Sequence, residues 1–258
     1  MMIPLTPSDP VRLGPYWLAG RLGAGGQGVV YEAYGDDGAR VAVKVPRFDD
    51  PGSRERLAKE AAAAQRVASF CTARVLDARV DVAEPYIVSE FVPGPSLREA
   101  APYGGDGLRR LAIGVATALA AIHQVGVVHR DLKPDNIIIG PDGPRVIDFG
   151  IAREAGPTTT GPVLGTPAYM APEVVAGRAA TAAADGWAWG LVVLFAARGS
   201  DPIPAGDPVA TVSAVLDFRP DLDGLPEPLA GLVTEALASD PADRPSARDL
   251  LLALLGAG

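Results

Sequence analysis

Apolar and polar positions alternate along the first third of the chain, which is the pattern of half-buried β-strands. The alternation predicts strands over residues 16–22, 29–34, 41–45, 74–82 and 85–88. One alanine-rich segment, residues 53–67, interrupts this series and predicts a helix that Ser53 can cap. The Pro-rich residues 1–13 come before the first strand, and we expect them to form an irregular tail.

From residue 96 onward, runs of apolar residues with the density of buried helices replace the alternation. They predict helices over residues 108–124 and 182–197, and two more between 225 and 255. Two short apolar runs, 137–139 and 145–147, flank a Gly-Pro-Asp-Gly turn and predict a β-hairpin. Because the strands come first and the helices follow, the order of elements indicates an α+β fold.

Composition and charge narrow the class of protein. A hydrophobic content of 48% in 258 residues supports a sizeable core. The net charge of −8 argues against non-specific nucleic-acid binding, so we expect no nucleic-acid partner. Cys71 is the only cysteine, which excludes an intramolecular disulfide and favours a reducing compartment. No apolar stretch approaches the roughly 18 residues that span a bilayer. We therefore expect a cytoplasmic chain, tethered to a membrane only if the parent protein continues past residue 258.

The candidate chemistry lies around the predicted hairpin. The segment HRDLKPDN at residues 129–136 holds a carboxylate, an ammonium group and an amide, on Asp131, Lys133 and Asn136. The hairpin would bring Asn136 close to Asp148, where two oxygen ligands could hold a hard cation such as magnesium. With Asp131 nearby as a base and Lys133 as a fixed positive charge, these groups suit phosphoryl transfer from a magnesium nucleotide.

The motif HRDxKxxN followed by Asp148-Phe149-Gly150 resembles the catalytic loop and the magnesium loop of protein kinases, for which the motif roles are established. The resemblance continues in GxGxxGxV from Gly23, in VAVK ending at Lys44, in GTPAYMAPE at residues 165–173, in DGWAWG and in DPADRP. The resemblance covers residues 14–255. In these motifs the chain is similar to the eukaryotic-like (Hanks-type) serine/threonine kinases of bacteria.

This resemblance implies the residues that bind ATP. Lys44 would contact the α- and β-phosphates and pair with Glu60 of the predicted helix, with Glu55 as the alternative partner. The remaining ATP-binding residues would be the loop glycines Gly23, Gly25 and Gly28, the adenine-contacting side chains Leu22, Val30, Ala42 and Ile138, and the hinge backbone of Glu90 and Val92.

The resemblance also implies residues that control the site. Thr158 and Thr160 would be phosphorylated in the activation loop, although three adjacent threonines are also typical of a solvated polar loop. Thr166 would contact Asp131 and Lys133, and Asp185 would brace the backbone of the catalytic loop. Glu173 and Arg244 would form a buried ion pair that fixes the activation segment.

The implied fold is the bilobal kinase fold. A small antiparallel β lobe with one helix would cover about residues 14–91, followed by a hinge at about 89–93 and a larger, mostly helical lobe over about 93–258, with ATP between the lobes. The implied function is ATP-dependent phosphorylation of Ser and Thr hydroxyls of proteins, including the chain's own activation loop, with Mg²⁺ or Mn²⁺ as the metal. A homodimer would allow one copy to phosphorylate the other.

Two other functions remain open. A pseudokinase or scaffolding module would bind nucleotide without efficient transfer, but it would typically lack a motif residue such as Lys44, Asp131 or Asp148, all of which are present. A small-molecule phosphotransferase of similar fold would typically lack GTPAYMAPE. A dinucleotide-binding enzyme is excluded because strand–helix units do not alternate.

Overall fold

The computed structural model describes residues 2–25, 28–47, 52–67, 70–149, 167–204 and 206–256. The chain divides into two compact units, and the division falls between Val92 and Pro93. The first unit contains the described residues up to Val92 except 70–72, which belong to the second unit together with the described residues from Pro93 onward.

The first unit is built on one antiparallel sheet of six strands in the order β1-β2-β3-β4-β6-β5. Its strands are β1 (Arg12–Leu13), β2 (Tyr16–Gly25), β3 (Gly28–Tyr34), β4 (Arg40–Pro46), β5 (Val75–Arg79) and β6 (Tyr86–Glu90). A single helix, α1 (Gly52–Ala64), lies between β4 and β5 in the chain. The five predicted strands and the predicted helix are therefore confirmed, with β5 ending three residues earlier than expected.

One face of this sheet carries the core of the first unit. Its buried side chains come from β1, β2, β3, β4 and β6 and are Leu13, Leu18, Tyr31, Ala33, Val41, Val43, Tyr86 and Val88. Because side chains alternate along a strand, Ala42 and Lys44 lie on the opposite face of β4. Lys44 pairs in register with Val30, so these three residues share that second face.

The N-terminal residues do not form the expected irregular tail. Ile3 forms an isolated antiparallel bridge with Arg21 of β2, and β1 pairs with the start of β2. The Asp9 carboxylate accepts hydrogen bonds from Arg21 at 2.7 and 2.8 Å and from the Tyr31 hydroxyl at 2.7 Å. Burial and the bond to Asp9 raise the pKa of Tyr31 to about 12. Proline content was a poor guide here because a two-residue strand and one carboxylate are enough to fix the segment.

The second unit is mostly helical. It contains the helices α2 (Leu97–Ala100), α3 (Gly105–Gln124), α4 (Pro172–Val175), α5 (Ala182–Arg198), α6 (Pro208–Leu216), α7 (Leu229–Ala236) and α8 (Ala247–Gly256). A two-stranded sheet, β7 (Ile137–Gly140) and β8 (Gly143–Val146), confirms the predicted hairpin. Short 3₁₀ turns cover Pro134–Asn136, Pro167–Tyr169 and Pro241–Asp243.

Helix α5 is the centre of the second unit, since every residue from Ala184 to Ala196 is buried. The indole Nε1 of Trp189 donates to the Ala112 carbonyl of α3 at 3.1 Å, which joins the two helices by a buried hydrogen bond. A methyl group at Gly190 would lie 2.8 Å from Leu237 Cγ, so this glycine permits the close approach of the residues after α7. Nowhere in the described part of the chain is a helix long and apolar enough to cross a membrane.

The pattern of apolar residues did not predict helix α6, although its start carries a recognisable signal. Asp207 caps the helix by accepting a hydrogen bond from the Ala210 N–H at 3.0 Å, and Pro208 occupies the first turn. Asp followed by Pro is a typical helix start. Only Thr211 and Val215 of this helix are buried, so the apolar periodicity was too weak to show it.

The Asp9 cluster predicts a pH-dependent contribution to stability. Arg21 lowers the pKa of Asp9, so the ionised carboxylate stabilises the folded state above the unfolded pKa of about 4. We expect Asp9→Asn to lower Tm at pH 7, and the difference from the native chain to shrink as the pH falls below about 4. Thermal unfolding followed by circular dichroism across pH 2–7 measures both effects. Asp36→Asn, which breaks an exposed pair with Arg12, is the matched control and should change Tm less. A difference that stays constant over this pH range would contradict the assignment.

Candidate active site

The β7–β8 hairpin places Asn136 and Asp148 beside each other. Ile137 pairs with Val146 and Gly140 with Gly143, and the ladder continues as the Ile147 N–H donates to the Asn136 carbonyl at 3.0 Å. Asp148 is the next residue after Ile147, so it follows directly on the end of this ladder. The hairpin therefore brings the two expected metal-binding residues to the same end of a short sheet.

Asp131, Lys133 and Asn136 form one hydrogen-bonded group. The Lys133 Nζ lies 3.0 Å from Oδ2 of Asp131. The Asn136 Nδ2 donates to the Asp131 backbone carbonyl at 2.8 Å and to the same Oδ2 at 3.2 Å. The amide nitrogen of Asn136 thus faces Asp131, which turns its carbonyl oxygen to the other side. The Asp131 carboxylate is held here beside the ammonium group of Lys133, and its orientation is fixed by the side chains around it.

The carboxylate of Asp185, in α5, holds the backbone of the catalytic loop (residues 129–136) through hydrogen bonds. Its side chain is 2% exposed, and it accepts hydrogen bonds from the His129 N–H at 2.7 Å and from the Arg130 N–H at 2.9 Å. The third partner is Nε2 of His123, at 2.7 Å from Oδ2. Arg130 has a φ of +64°, a conformation that a non-glycine residue adopts only when its surroundings impose it. The carboxylate therefore fixes a strained residue directly before Asp131.

His123 is a residue that sequence reasoning did not connect with the site. It lies in the last turn of α3, and no local pattern predicts its contact with a carboxylate 62 residues later. The carboxylate can only accept a hydrogen bond, so Nε2 of His123 carries the proton.

His129 is part of the scaffold of the loop and is completely buried. Its Nδ1 accepts a hydrogen bond from the Asp131 N–H at 3.2 Å, and its Nε2 donates to the Ile147 carbonyl at 3.2 Å. Burial lowers the pKa of His129, which favours the neutral ring, and the two hydrogen bonds set its tautomer. The neutral ring thus ties the start of the catalytic loop to the end of the hairpin.

The residues around Asp148 suit a divalent cation. Asp148 is exposed and has a φ of +59°, whereas the next residue, Phe149, is 2% exposed and lies against the His129 ring at 6.4 Å. Burial of Phe149 therefore fixes the backbone on one side of Asp148, while Asp148 itself is exposed. The carbonyl oxygen of Asn136 and the carboxylate of Asp148 are the oxygen ligands that hard cations prefer.

The expected phosphate-binding glycines Gly23, Gly25 and Gly28 differ in whether the fold itself requires glycine. Gly28 has a φ of +135°, and a Cβ there would collide with the Val45 carbonyl, so the β3–β4 pairing itself requires glycine. At Gly23 and Gly25 a Cβ would meet no atom within 4 Å. Folding of the described residues therefore does not require glycine at these two positions. Open space over a backbone is what a phosphate group needs to approach the N–H groups.

Two of the expected adenine-binding residues, Val30 and Ala42, lie on the sheet face opposite the core. Val30 and Ala42 are half-buried on the face that also carries Lys44, and Leu22 is 37% exposed. The Glu90 N–H donates to the Arg74 carbonyl at 2.8 Å. The expected contact between the Glu90 backbone and adenine therefore concerns its carbonyl group and not its N–H. Val92 and, in the second unit, Ile138 are half-buried.

The structure distinguishes the two candidate partners of Lys44. Glu55 pairs with Lys59 at 2.8 Å, and both side chains are about three-quarters exposed, at 76% and 74%. Glu60 is half-buried and lies on the helix side that carries the buried residues Leu57, Ala61 and Ala64. This placement favours Glu60, because Glu55 belongs to the solvent face of α1.

The expected pair of Glu173 and Arg244 is present and buried. Two parallel hydrogen bonds of 2.8 and 2.9 Å join the guanidinium to the carboxylate. The side chain of Arg244 is 0% exposed and that of Glu173 is 4% exposed. Arg244 also donates to the carbonyls of Ala238, Ala183 and Ser239. The guanidinium is thus fully used, and α4 is fixed to the 3₁₀ turn before α8. Gly150, Thr158, Thr160 and Thr166 lie outside the described residues.

A comparison with protein families adds to this geometry. Residues 16–253 match the family model described as the protein kinase domain. The chain belongs to the protein kinase family, and its two units are the lobes of the bilobal kinase fold. The family uses ATP and a divalent metal, and its members act on proteins.

Individual relatives narrow the class to bacterial serine/threonine kinases of the Hanks type. The serine/threonine-protein kinase AfsK of Streptomyces coelicolor is 44% identical over 97% of this chain and 33% of its own length. The probable serine/threonine-protein kinase PkwA of Thermomonospora curvata is also 44% identical, over 98% of this chain and 36% of its own length. AfsK of Streptomyces griseus gives the same identity over 97% and 32%. The chain spans about a third of the length of these curated relatives.

The buried pair predicts a large effect on stability. We expect Glu173→Gln to lower the free energy of unfolding by about 3 kcal/mol, since it leaves a buried guanidinium without its counter-charge. Urea denaturation followed by tryptophan fluorescence measures the change. Asp221→Asn is the matched control: it breaks the pair with Arg198, in which Asp221 is 69% exposed, and should cost less than about 1 kcal/mol. Equal effects of the two variants would show that burial of the first pair contributes nothing to stability.

Proposed function

We propose that this chain is the catalytic domain of a serine/threonine protein kinase, which transfers the γ-phosphate of ATP to Ser and Thr hydroxyls. The observation that carries the proposal is the group formed by Asp131, Lys133 and Asn136, held on a loop that Asp185 braces. A loop without a catalytic role would not need to bring an ammonium group and an amide together on one carboxylate oxygen, Oδ2 of Asp131. The names of the relatives support the acceptor class.

Each residue of the group has a defined task in this mechanism. Asp131 orients the substrate hydroxyl and accepts its proton as the oxygen attacks the γ-phosphorus and the bond from that phosphorus to ADP breaks, so that ADP leaves. Lys133, at 3.0 Å from Asp131, places a positive charge beside that carboxylate and offsets negative charge on the transferred phosphoryl group. Asn136 holds Asp131 in place through its Nδ2. Most of the rate enhancement comes from positioning and from stabilisation of charge.

Mg²⁺ is the metal that we propose, with Mn²⁺ as an alternative. Asn136 and Asp148 would hold it through their oxygen atoms. When bound, the metal would neutralise charge on the phosphates of ATP.

Within the first unit, we propose that Lys44 binds the α- and β-phosphates and is positioned by Glu60. Gly23 and Gly25 would give the phosphates access to backbone N–H groups, while Gly28 shapes the loop. Leu22, Val30 and Ala42 would contact adenine, together with the backbone of Glu90 and Val92. The shared sheet face of Val30, Ala42 and Lys44 supports this assignment.

We expect the purified chain, incubated with ATP and magnesium, to incorporate phosphate on Ser or Thr. Asp131→Asn should lower the initial rate by about a hundredfold or more, because the variant loses the proton acceptor. Asp142→Asn is the matched control, since Asp142 is exposed at the tip of the hairpin and should leave the rate unchanged. Radiolabelled ATP with phosphoamino-acid analysis measures both variants. Labelling on Tyr alone, or none with any divalent metal, would contradict the proposed function.

The same assay tests whether one copy acts on another. We propose that autophosphorylation occurs in trans between two copies. The specific rate should then rise with enzyme concentration, whereas transfer within one chain would give a constant specific rate.

We also propose that phosphate on Thr158 or Thr160 activates the enzyme. The backbone of Arg130 is held by Asp185, so its cationic side chain starts from a fixed point next to Asp131. A phosphothreonine carries about −1.5 to −2 charges and could form charge-assisted hydrogen bonds with this guanidinium. Such a contact would order the activation loop and place Thr166 next to Asp131 and Lys133.

The double variant Thr158→Ala/Thr160→Ala is expected to keep the fold and to lower the rate of peptide phosphorylation by about tenfold. Thr166→Ala should lower it further, because Thr166 is proposed to lie in the site itself. Mass spectrometry of the active protein first identifies the phosphorylated residues, and initial rates then compare the variants. A fully active double variant would show that the three threonines are a solvated polar loop.

A further inference from the structure

A second ionic group lies beside the catalytic loop and is not part of the phosphoryl-transfer machinery. It consists of Arg98, Asp135, Asp201 and Tyr169, and we call it the Arg98 cluster. The Nε of Arg98 is 2.9 Å from both carboxylate oxygens of Asp135. Its two terminal nitrogens donate to the two oxygens of Asp201 at 3.1 and 3.2 Å. The Tyr169 hydroxyl donates to Asp201 Oδ1 at 2.7 Å. All three nitrogens of one guanidinium are therefore used.

The backbone next to Arg98 is fixed to β7, the strand that follows the catalytic loop. Leu97, the first residue of α2, is completely buried. Ser96 forms a capping box with Glu99 and an isolated bridge with Ile138 of β7. The Ile139 N–H donates to the Pro95 carbonyl at 2.8 Å. Because α2 cannot shift relative to β7, the guanidinium projects from a fixed position towards Asp135, the residue before Asn136.

The other end of the cluster belongs to the segment that precedes α4. Tyr169 is 5% exposed, and burial together with the hydrogen bond to Asp201 raises its pKa, so the phenol stays protonated and continues to donate. Tyr169 lies three residues after Thr166 and four before Glu173, which is tied down by Arg244. The Arg98 cluster thus joins the catalytic loop to a segment that is independently fixed at its C-terminal end.

The two arms of the cluster differ in strength. Asp135 is 46% exposed, and an exposed ion pair contributes little because water screens it. Asp201 is 28% exposed, forms a two-point contact with Arg98 and also receives the buried phenol. The Arg98 side chain also packs over the Phe195 ring of α5 at 5.0 Å. Burial alone would lower the pKa of Arg98, but the hydrogen bonds to Asp201 and Asp135 outweigh it and raise the pKa. The Asp201 arm should therefore carry most of the coupling.

We propose that Arg98 is a positioning residue for the protein substrate: it holds the catalytic loop and the Tyr169 segment in one fixed arrangement, in which the acceptor hydroxyl reaches Asp131. This inference rests on the proposed kinase function. None of the four cluster residues is among the proposed ATP-binding residues. Loss of Arg98 should therefore affect use of the peptide and not use of ATP.

Steady-state kinetics provide the first test. The acceptor is a peptide with the sequence of residues 154–166, and the variants are Arg98→Met, Arg98→Lys, Asp201→Asn and Asp135→Asn. Arg98→Met should raise the KM for the peptide about tenfold, which corresponds to about 1.4 kcal/mol, and leave the KM for ATP unchanged. Arg98→Lys should resemble Arg98→Met, because one ammonium group cannot contact both carboxylates. Asp201→Asn should have a larger effect than Asp135→Asn.

Arg198→Met is the matched control, since it removes an Arg–Asp pair from the same unit without contact to the cluster. It should leave both KM values unchanged. A wild-type peptide KM in Arg98→Lys would overturn the geometric role of the guanidinium, as would an equal rise in the KM for ATP in Arg98→Met.

Hydrogen exchange provides a test that does not depend on activity. The Asn136 N–H donates to the Lys133 carbonyl, and the Met170 N–H donates to the Pro167 carbonyl. The first amide therefore reports on the catalytic loop and the second on the Tyr169 segment. Arg98→Met should accelerate exchange in both segments, and Arg198→Met in neither. Unchanged exchange in Arg98→Met would overturn the inference whatever the activity. If the native chain transfers no phosphate, the proposed function fails, whereas the exchange result still decides whether Arg98 joins the two segments.

Discussion

The buried carboxylate of Asp185 is the interaction on which the rest of the site depends. Burying a charge is unfavourable unless donors compensate it, and three N–H groups do so here. Two of those donors are the consecutive backbone amides of His129 and Arg130 in the catalytic loop, and Arg130 also adopts a positive φ. The Asp185 carboxylate thus anchors the N–H of a strained residue. Asp131 follows directly and takes its direction from that arrangement, and Lys133 and Asn136 are oriented around Asp131.

The other polar contacts of the second unit differ in how deeply they are buried. His129 is neutral and completely buried, and it contributes hydrogen bonds and packing without charge. The pair of Glu173 and Arg244 is also buried, but every donor of the guanidinium has an acceptor, which makes a buried charge tolerable. The Arg98 cluster is half-exposed and depends on having several partners instead of a dry environment. Exposure therefore increases from the loop backbone towards the Arg98 cluster.

Much of the fold could be predicted from the sequence because its patterns are local. The hairpin follows from two apolar runs around a turn, and the five main strands and α1 follow from periodicity. Residues 2–13 could not be predicted, since Asp9 acts through Arg21 and Tyr31 of later strands. Helix α6 buries too few side chains to show a period. In the site, Asp131 and Asn136 stood out because they lie in one eight-residue motif, and Asp148 because it begins the short Asp-Phe-Gly motif. His123 and Arg98 did not, since each acts on a carboxylate 62 or 103 residues away, and such a pair has no local signature.

The glycine loop separates two kinds of constraint that a sequence alone cannot tell apart. Gly28 is required by the chain's own backbone, because its φ and the nearby Val45 carbonyl exclude any side chain. Gly23 and Gly25 have room for a methyl group, so the described residues impose no such requirement on them. In a lineage that ceased to bind nucleotide, Gly23 and Gly25 would drift to other residues while Gly28 persisted. The pattern of glycine loss across descendants would then record whether selection had acted on the fold or on the ligand.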